Sequence, residues 1–102
     1  ISNDSILNYG SLQIDTNNHR VVRDGVTVDL TVREYAILEY LVRNRNIVVT
    51  REQIRANIWS IDDDINSNVV DVYIRYLRRK IDDPFKEKLI HTIRGVGYRL
   101  EC

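Results

Sequence analysis

Apolar and polar positions alternate through the first thirty residues, and turn-forming residues interrupt the alternation three times. Gly10, the segment 16–18 and the pair Asp24-Gly25 separate four short apolar runs. Asp-Gly between two such runs favours a hairpin with a tight primed turn, because both residues tolerate a positive φ. The pattern therefore predicts a small antiparallel sheet with strands at 6–9, 12–15, 20–23 and 26–29.

Two helices are predicted by the residues at their N-termini. Segments 31–34 and 50–53 both begin with threonine and carry glutamate or glutamine three positions later. In such a capping box the threonine side chain accepts a hydrogen bond from a first-turn N–H, and the acid or amide accepts one from the threonine N–H. The apolar positions that follow at helical spacing are Tyr35, Leu38, Leu41 and Val42 in the first helix, and Ile54 and Ile58 in the second, which we expect to end near Trp59-Ser60.

A third helix is predicted from about Val69 to Asp82, since its apolar positions recur every three or four residues. Ser67 or Asn68 is the expected N-cap, because these side chains accept hydrogen bonds from free backbone N–H groups. Pro84 ends the helix, because proline disfavours helical structure in the residue before it. The apolar stripe expected to face the core consists of Val70, Ile74, Leu77 and Ile81.

The opposite face of this third helix is rich in arginine and tyrosine. An α-helix fits the major groove of DNA, where arginine bonds guanine and apolar groups contact thymine methyl groups. A solvated charged face explains the same pattern equally well when the helix is taken alone. The face comprises Asn68, Val72, Arg75, Tyr76 and Arg79, with Tyr73 and Arg78 on its flanks.

The chain closes with a second predicted hairpin, in which strands at 89–93 and 98–100 flank the segment 94–97 with its two glycines. A helix-turn-helix followed by a hairpin with a basic tip is typical of a winged helix, in which one helix enters the major groove and the wing reaches a minor groove. Arg94 lies at that tip. An ordinary hairpin turn accounts for the glycines equally well.

Charge is unevenly distributed, although the formal net charge is zero. Residues 66–102 contain eight lysines or arginines against five acids, and a local basic face binds phosphates even on a neutral domain. The 102 residues suffice for one domain with its own core. The chain has a single cysteine, Cys102, and no apolar run long enough to cross a membrane, so we expect a cytoplasmic protein without membrane attachment.

Other kinds of site are poorly supported by the sequence. The acidic run Asp62-Asp63-Asp64 suggests a metal site, and Asp62, Asp64 and Asn66 match the start of a calcium loop. The glycine and the closing glutamate of that loop are replaced by Ser67 and Tyr73, so we expect no metal site. Gly95 and Gly97 lack the third glycine of a dinucleotide motif, so we expect no cofactor. Without a paired nucleophile and base, no enzymatic activity is expected.

Four segments together resemble the C-terminal effector domains of OmpR/PhoB response regulators. They are 50–54, Ile58-Trp59, the run Val-Asp-Val-Tyr-Ile-Arg-Tyr-Leu-Arg-Arg-Lys at 70–80, and Thr-Ile-Arg-Gly-Val-Gly-Tyr at 92–98. The resemblance covers essentially the whole chain. It implies an α+β winged helix with an N-terminal four-stranded antiparallel sheet, three helices and a C-terminal hairpin wing, whose function is sequence-specific binding of duplex DNA to regulate transcription.

The resemblance also implies roles for individual residues. The residues that would contact bases and nearby phosphates are Val72, Arg75, Tyr76 and Arg79, together with Asn68. The DNA backbone would be held by Tyr73 and Arg78, and phosphates would be contacted by Trp59, Thr92 and Tyr98. Arg94 would enter the minor groove. Many members have arginine in place of Tyr76, so the operator sequence cannot be borrowed from relatives. The family contacts RNA polymerase through the loop between the second and third helices, where Asp62, Asp63 and Asp64 lie.

The family further implies a receiver domain that is absent from this chain, phosphorylation of that domain by a sensor histidine kinase, and dimerisation of the full-length protein on DNA. Because the chain begins with Ile1, we expect residues 1–5 to be a remnant of the linker from the receiver and residues 1–102 to be one domain. Two alternatives remain open: a one-component or membrane-anchored regulator with the same domain, and a winged-helix module that binds proteins instead of DNA.

Overall fold

The computed structural model describes residues 6–60, 66, 68–85 and 87–101. Its N-terminal part is a four-stranded antiparallel sheet of β1 (Ile6–Tyr9), β2 (Leu12–Asp15), β3 (Arg20–Arg23) and β4 (Val26–Val28), paired in that order. Asp24 and Gly25 have φ angles of 53° and 80°, as the primed turn between β3 and β4 requires. The predicted sheet is therefore confirmed, with β4 one residue shorter than expected.

Three helices follow: α1 (Val32–Arg43), α2 (Arg51–Ile58) and α3 (Asn68–Ile81). Both capping boxes are formed, at Thr31 with Glu34 and at Thr50 with Gln53. Helix α3 begins one residue earlier than predicted, at Asn68, and ends one residue earlier, at Ile81, so that Asp82 follows the helix. Ser67, the other candidate N-cap, lies outside the described residues.

The C-terminal hairpin is part of a three-stranded sheet. Strands β6 (Ile90–Ile93) and β7 (Gly97–Leu100) form the hairpin, and the two-residue strand β5 (Val49–Thr50) pairs with the other edge of β7. Strand β5 was not predicted from the sequence, because a two-residue segment is too short to display an alternating pattern. This extra strand joins the turn end of the hairpin to the start of α2.

One core links the two sheets through the helices. Apolar side chains from β2, β3, all three helices and the C-terminal sheet are buried together, including the whole stripe predicted for α3. At the edge of this core Arg23 is 1% exposed and lies 3.3 Å from the carboxylate of Asp82, which is 2% exposed. Asp82 also accepts hydrogen bonds from the backbone N–H groups of Leu89 and Ile90 at 3.1 Å each. This buried pair joins the N-terminal sheet to the end of α3 and to β6.

None of the helices described is long and apolar enough to cross a membrane.

Candidate nucleic-acid interface

Helix α3 presents two chemically different faces. Val70, Ile74, Leu77 and Ile81 are at most 1% exposed, and this burial fixes the rotation of the helix about its axis. The side chains of the opposite face, which are Asn68, Val72, Arg75, Tyr76 and Arg79, are all exposed, while the flanking Tyr73 and Arg78 are half-buried. The structure therefore brings together on one surface the α3 residues that the sequence singled out.

The cations at the centre of this face have no partners within the described chain. No carboxylate of those residues lies within ion-pair distance of Arg75 or Arg79, whereas Arg23, Arg51 and Lys80 all lie beside acids. Because a guanidinium carries five N–H donors, both arginines retain their capacity to bond a base edge or a phosphate.

Arg78 fastens the wing to α3. Its guanidinium donates hydrogen bonds to the backbone oxygen of Ile90 at 3.2 Å and to the hydroxyl of Thr92, and it lies 5.7 Å from the centre of the Tyr98 ring. These contacts engage both strands of the hairpin. They fix the wing relative to the exposed face of α3, so Arg78 and Thr92 have a structural role beside any contact with DNA.

Asp71 makes a second connection between the wing and the helices. Its carboxylate accepts a hydrogen bond from the Tyr98 hydroxyl and lies 3.0 Å from the guanidinium of Arg51, the first residue of α2. Burial, followed by this hydrogen bond to a carboxylate, raises the pKa of Tyr98 to about 12. The Tyr98 hydroxyl thus already donates its proton to a hydrogen bond within the protein, and the sequence did not reveal this contact.

The wing tip depends on two glycines for different reasons. Gly95 has a φ of +75° in a turn closed by a 3.0 Å hydrogen bond from the Val96 N–H to the Ile93 oxygen. Gly97 leaves room for β5, because a Cβ there would lie 2.0 Å from the Val49 oxygen. Arg94 is exposed at this tip, and none of the described acids pairs with it.

Trp59 lies behind the exposed face and not on it. It is 6% exposed, packs edge-to-face against Tyr73 with ring centres 5.4 Å apart, and has the guanidinium of Arg33 5.3 Å from its ring centre. Arg33 also donates to the backbone oxygen of Ile58. Little of the Trp59 surface is left for contact with a phosphate, so its clearest contribution is to support Tyr73.

Sequence reasoning missed Arg51 and Asp71 as parts of this region. Arg51 lies in the second predicted capping box, and Asp71 lies in the run at 70–80 that resembles the family, but no contact was predicted for either side chain. Their partners are 20 and 27 residues away in sequence, a separation that leaves no local pattern. The wing motif alone could have suggested a partner for the Tyr98 hydroxyl, since buried tyrosine hydroxyls are usually hydrogen-bonded.

The acidic segment Asp62, Asp63 and Asp64 lies outside the described residues. Over the part of the chain that is described, no three histidine, cysteine, aspartate or glutamate side chains are close enough together to hold a metal ion.

Comparison with known proteins places this geometry in a family. The sequence profile described as "Transcriptional regulatory protein, C terminal" matches residues 25–100. The response regulator ArlR of Staphylococcus saprophyticus is 47% identical over 94 residues, which are 92% of this chain and 43% of that protein. The chain spans less than half the length of the curated relatives it matches.

Solved structures agree with the sequence match. Response regulator DrrB, described as a Thermotoga maritima OmpR/PhoB homolog, superposes with a TM-score of 0.85 at 35% identity, covering 96% of this chain and 45% of DrrB. The DNA-binding domain of response regulator AdeR, solved in complex with an intercistronic region, superposes with a TM-score of 0.84 at 29% identity, covering 93% of this chain and 97% of that domain. This chain therefore belongs to the OmpR/PhoB family of transcriptional regulatory protein C-terminal domains, which are winged-helix DNA-binding domains.

Proposed function

We propose that this domain regulates transcription by inserting α3 into the major groove of a specific duplex, with the wing in an adjacent minor groove. The observation that carries the proposal is the pair of arginines on the exposed face of α3, Arg75 and Arg79, which have no acidic partner among the described residues. They are one helical turn apart, so both can reach base edges or phosphates in the same groove. Val72 and Tyr76 share this face, and Asn68 lies at its N-terminal end.

The wing and the flanks of α3 would hold the DNA backbone. Tyr73 and Arg78 lie at the edges of the α3 face, and Thr92 is exposed on strand β6 of the wing. Trp59 and Tyr98 are 6% and 7% exposed, so we assign them to supporting the backbone contacts and not to the main bonds with phosphates.

Binding measurements with arginine variants test the groove assignment. A duplex is first selected from a random pool, and wild type, Arg75→Ala and Arg79→Ala are then titrated against it. Each variant should lose about 1–3 kcal/mol of binding free energy with an unchanged Tm, because both side chains lie opposite the core stripe. Arg20→Ala is the matched control, since Arg20 is an exposed arginine on the N-terminal sheet. Full affinity in both α3 variants would contradict the assignment.

The same selection separates DNA binding from the alternative of a protein-binding module. Contacts with phosphates release counterions, so affinity for DNA should fall steeply as salt is raised. A domain that selects no duplex, or whose binding does not depend on salt, would support the alternative.

Arg94 would enter the minor groove from the wing tip. A narrow A·T-rich minor groove concentrates negative potential and attracts arginine. Arg94→Ala should therefore weaken binding most at sites with A·T-rich flanks and leave the Tm almost unchanged. A uniform loss over A·T-rich and G·C-rich flanks, with a salt slope lower by about one unit, would mean that Arg94 contacts only the backbone.

We further propose that the domain is the output part of a longer two-component response regulator. The support is that the curated relatives are more than twice as long and include proteins named response regulator. The receiver domain, its histidine kinase and dimerisation on DNA belong to this proposal, as do residues 1–5 as linker and a cytoplasmic location. It includes no enzymatic activity, metal or cofactor. The coding sequence upstream of Ile1 tests the domain arrangement directly and would also identify a one-component or membrane-anchored regulator.

Asp62, Asp63 and Asp64 would contact a basic surface of RNA polymerase. Changing all three to asparagine should reduce activated transcription in vitro while DNA affinity stays nearly intact. Equal losses of binding and transcription would exclude a separate role with the polymerase.

A further inference from the structure

Three aromatic rings form a continuous ladder from the core to the exposed face of α3. Trp59 contacts Tyr73 at 5.4 Å between ring centres and 63° between ring planes, and Tyr73 contacts Tyr76 at 6.0 Å and 76°. Exposure rises along the ladder: Trp59 is buried, Tyr73 is half-buried and Tyr76 is 43% exposed. We call this set the aromatic ladder.

The ladder holds the Tyr76 ring in a defined position. Edge-to-face contacts orient one ring against the next, and tyrosine has only two side-chain torsions to fix. Among the described residues none accepts a hydrogen bond from the Tyr76 hydroxyl. The ring is therefore placed by packing from below, and its outer surface is free to contact a ligand.

Val72 extends this surface into an apolar patch. It lies one turn before Tyr76 on the same side of α3 and is 37% exposed. Val72 and Tyr76 are the large apolar side chains of α3 that lie exposed, and they are bordered by Arg75 and Arg79, for which the described residues offer no acidic partner. We call Val72 and Tyr76 the apolar patch.

We infer that the apolar patch recognises the C5 methyl groups of thymines in the major groove and that the aromatic ladder positions it for this contact. The inference rests on the proposed function, because it requires α3 to lie in the groove. The thymine methyl is the one apolar group that a base pair presents there, and it distinguishes thymine from the other three bases. Arginines beside the patch supply bonds to guanine or phosphate, while the patch supplies contact with thymine.

Deoxyuridine substitution isolates the contact. In a duplex selected for binding, each thymine of the half-site is replaced in turn by deoxyuridine, which removes the methyl and keeps every hydrogen-bonding group. Wild type should lose about four-fold in affinity at one or two thymines, the loss expected when one methyl is withdrawn from an apolar contact. Equal affinity for every thymine and deoxyuridine duplex would overturn the inference while leaving the proposed function intact.

Variants distinguish the contribution of the apolar patch from that of the aromatic ladder below it and from that of the adjacent arginines. Tyr76→Ala and Val72→Ala should reduce the thymine-to-deoxyuridine ratio, and Tyr76→Phe should preserve it because the ring remains. Tyr73→Leu should reduce the ratio although Tyr76 is unchanged, with a thermal melt to confirm folding. Arg75→Ala is the matched control, since it should weaken binding to both duplexes alike and leave the ratio unchanged.

A thymine-to-deoxyuridine ratio in Tyr76→Phe as low as that in Tyr76→Ala would overturn the inference, because it would assign the discrimination to the Tyr76 hydroxyl and not to its ring. Failure to select any duplex would overturn both the inference and the proposed function. Retention of the ratio in Tyr76→Ala and Val72→Ala would show that another part of the domain recognises the methyl groups.

Discussion

Asp71 and Asp82 lie at opposite ends of α3, and each interacts with an arginine and with the C-terminal sheet. Arg51 lies 3.0 Å from Asp71 with side-chain exposures of 44% and 34%, whereas Arg23 lies 3.3 Å from Asp82 with exposures of 1% and 2%. Loss of one partner should nevertheless cost less at the shorter contact, because water screens an exposed pair, whereas at the buried pair the remaining charge is left unpaired inside the protein. Burial, more than distance, decides how much the loss of one partner costs.

The surroundings of the two ion pairs also differ, because further groups enclose the buried pair. Arg23 donates further hydrogen bonds to the Ser11 hydroxyl at 2.7 Å and to the Glu87 oxygen at 2.6 Å, and its guanidinium lies 4.9 Å from the centre of the Phe85 ring. Asp82 accepts two backbone N–H groups. The Asp82 end of α3 is therefore a closed polar network inside the core, whereas the Asp71 end is an open connection beside the wing.

The largest effect is expected when the buried pair is broken. Arg23→Met or Asp82→Asn should each lower the free energy of unfolding by about 3–5 kcal/mol, because each leaves the other partner buried without its counter-charge. Urea denaturation followed by circular dichroism measures the change. The two substitutions combined should cost less than their sum, since together they remove both charges. Costs as small as those of Arg51 variants would refute the distinction drawn between the two ends.

A substitution of Gly97 tests whether β5 and β7 are in close backbone contact near the Asp71 end of α3. In Gly97→Ala the new Cβ would lie 2.0 Å from the Val49 oxygen and 2.8 Å from the Thr50 Cα, so β5 must move away from β7. We expect a loss of about 1–3 kcal/mol in stability. Gly95→Ala is the control for an added methyl, since nothing lies within 4 Å of its Cβ position and its cost comes from the φ of +75° alone. A Gly97→Ala variant as stable as wild type would contradict the close approach.

Glu34 provides an intermediate case, because its buried carboxylate contacts a half-exposed lysine of α3. Burial alone would raise the pKa of Glu34, but hydrogen bonds from Lys80 at 2.7 Å and from the Thr31 N–H at 2.9 Å hold it below its usual value of 4.5. A lowered pKa means that this carboxylate stabilises the fold above pH 4.5 and that the contribution is lost as the pH falls through the folded-state pKa.

Glu34→Gln should therefore cost about 1 kcal/mol at neutral pH, and the difference from wild type should shrink as the pH is lowered below 4.5. Denaturation midpoints over this range measure it. Glu52→Gln serves as the control, because its carboxylate is 65% exposed. A difference that stays constant with pH would assign the effect of Glu34→Gln to packing alone.

The smallest effect is expected at the exposed pair. Arg51→Met and Asp71→Asn should each change stability by about 0.2–1 kcal/mol, and asparagine retains an oxygen that accepts from the Tyr98 hydroxyl. The cost should largely vanish near 1 M salt, where the Debye length falls to about 3 Å, whereas the cost of Arg23→Met should persist. Parallel denaturation series at low and high salt compare the two. An equal salt dependence of the stability cost for Arg51→Met and Arg23→Met would show that screening by solvent does not distinguish the two ion pairs.

Several parts of the site follow from local rules and were predicted from the sequence. The stripe Val70, Ile74, Leu77 and Ile81 determines which side of α3 faces the core, so the exposed position of Arg75 and Arg79 is a consequence of helical geometry. The position of the wing on α3 was not predictable in this way. It depends on the Arg78 and Asp71 contacts, whose partners in the wing lie at least 12 residues away in sequence.

The sequence by itself determined the three helices, the four-stranded sheet and the C-terminal hairpin, because capping boxes, turn residues and apolar periodicity act between residues that are close together in the chain. Only the tertiary structure decided which polar groups meet. Arg23 and Asp82 are 59 positions apart, and nothing near either residue marks it as the partner of the other. The same holds for β5 beside β7 and for the contact of Trp59 with Tyr73 in the aromatic ladder. Such contacts arise when separate elements pack on a common core, and their energy depends on the burial that this packing creates.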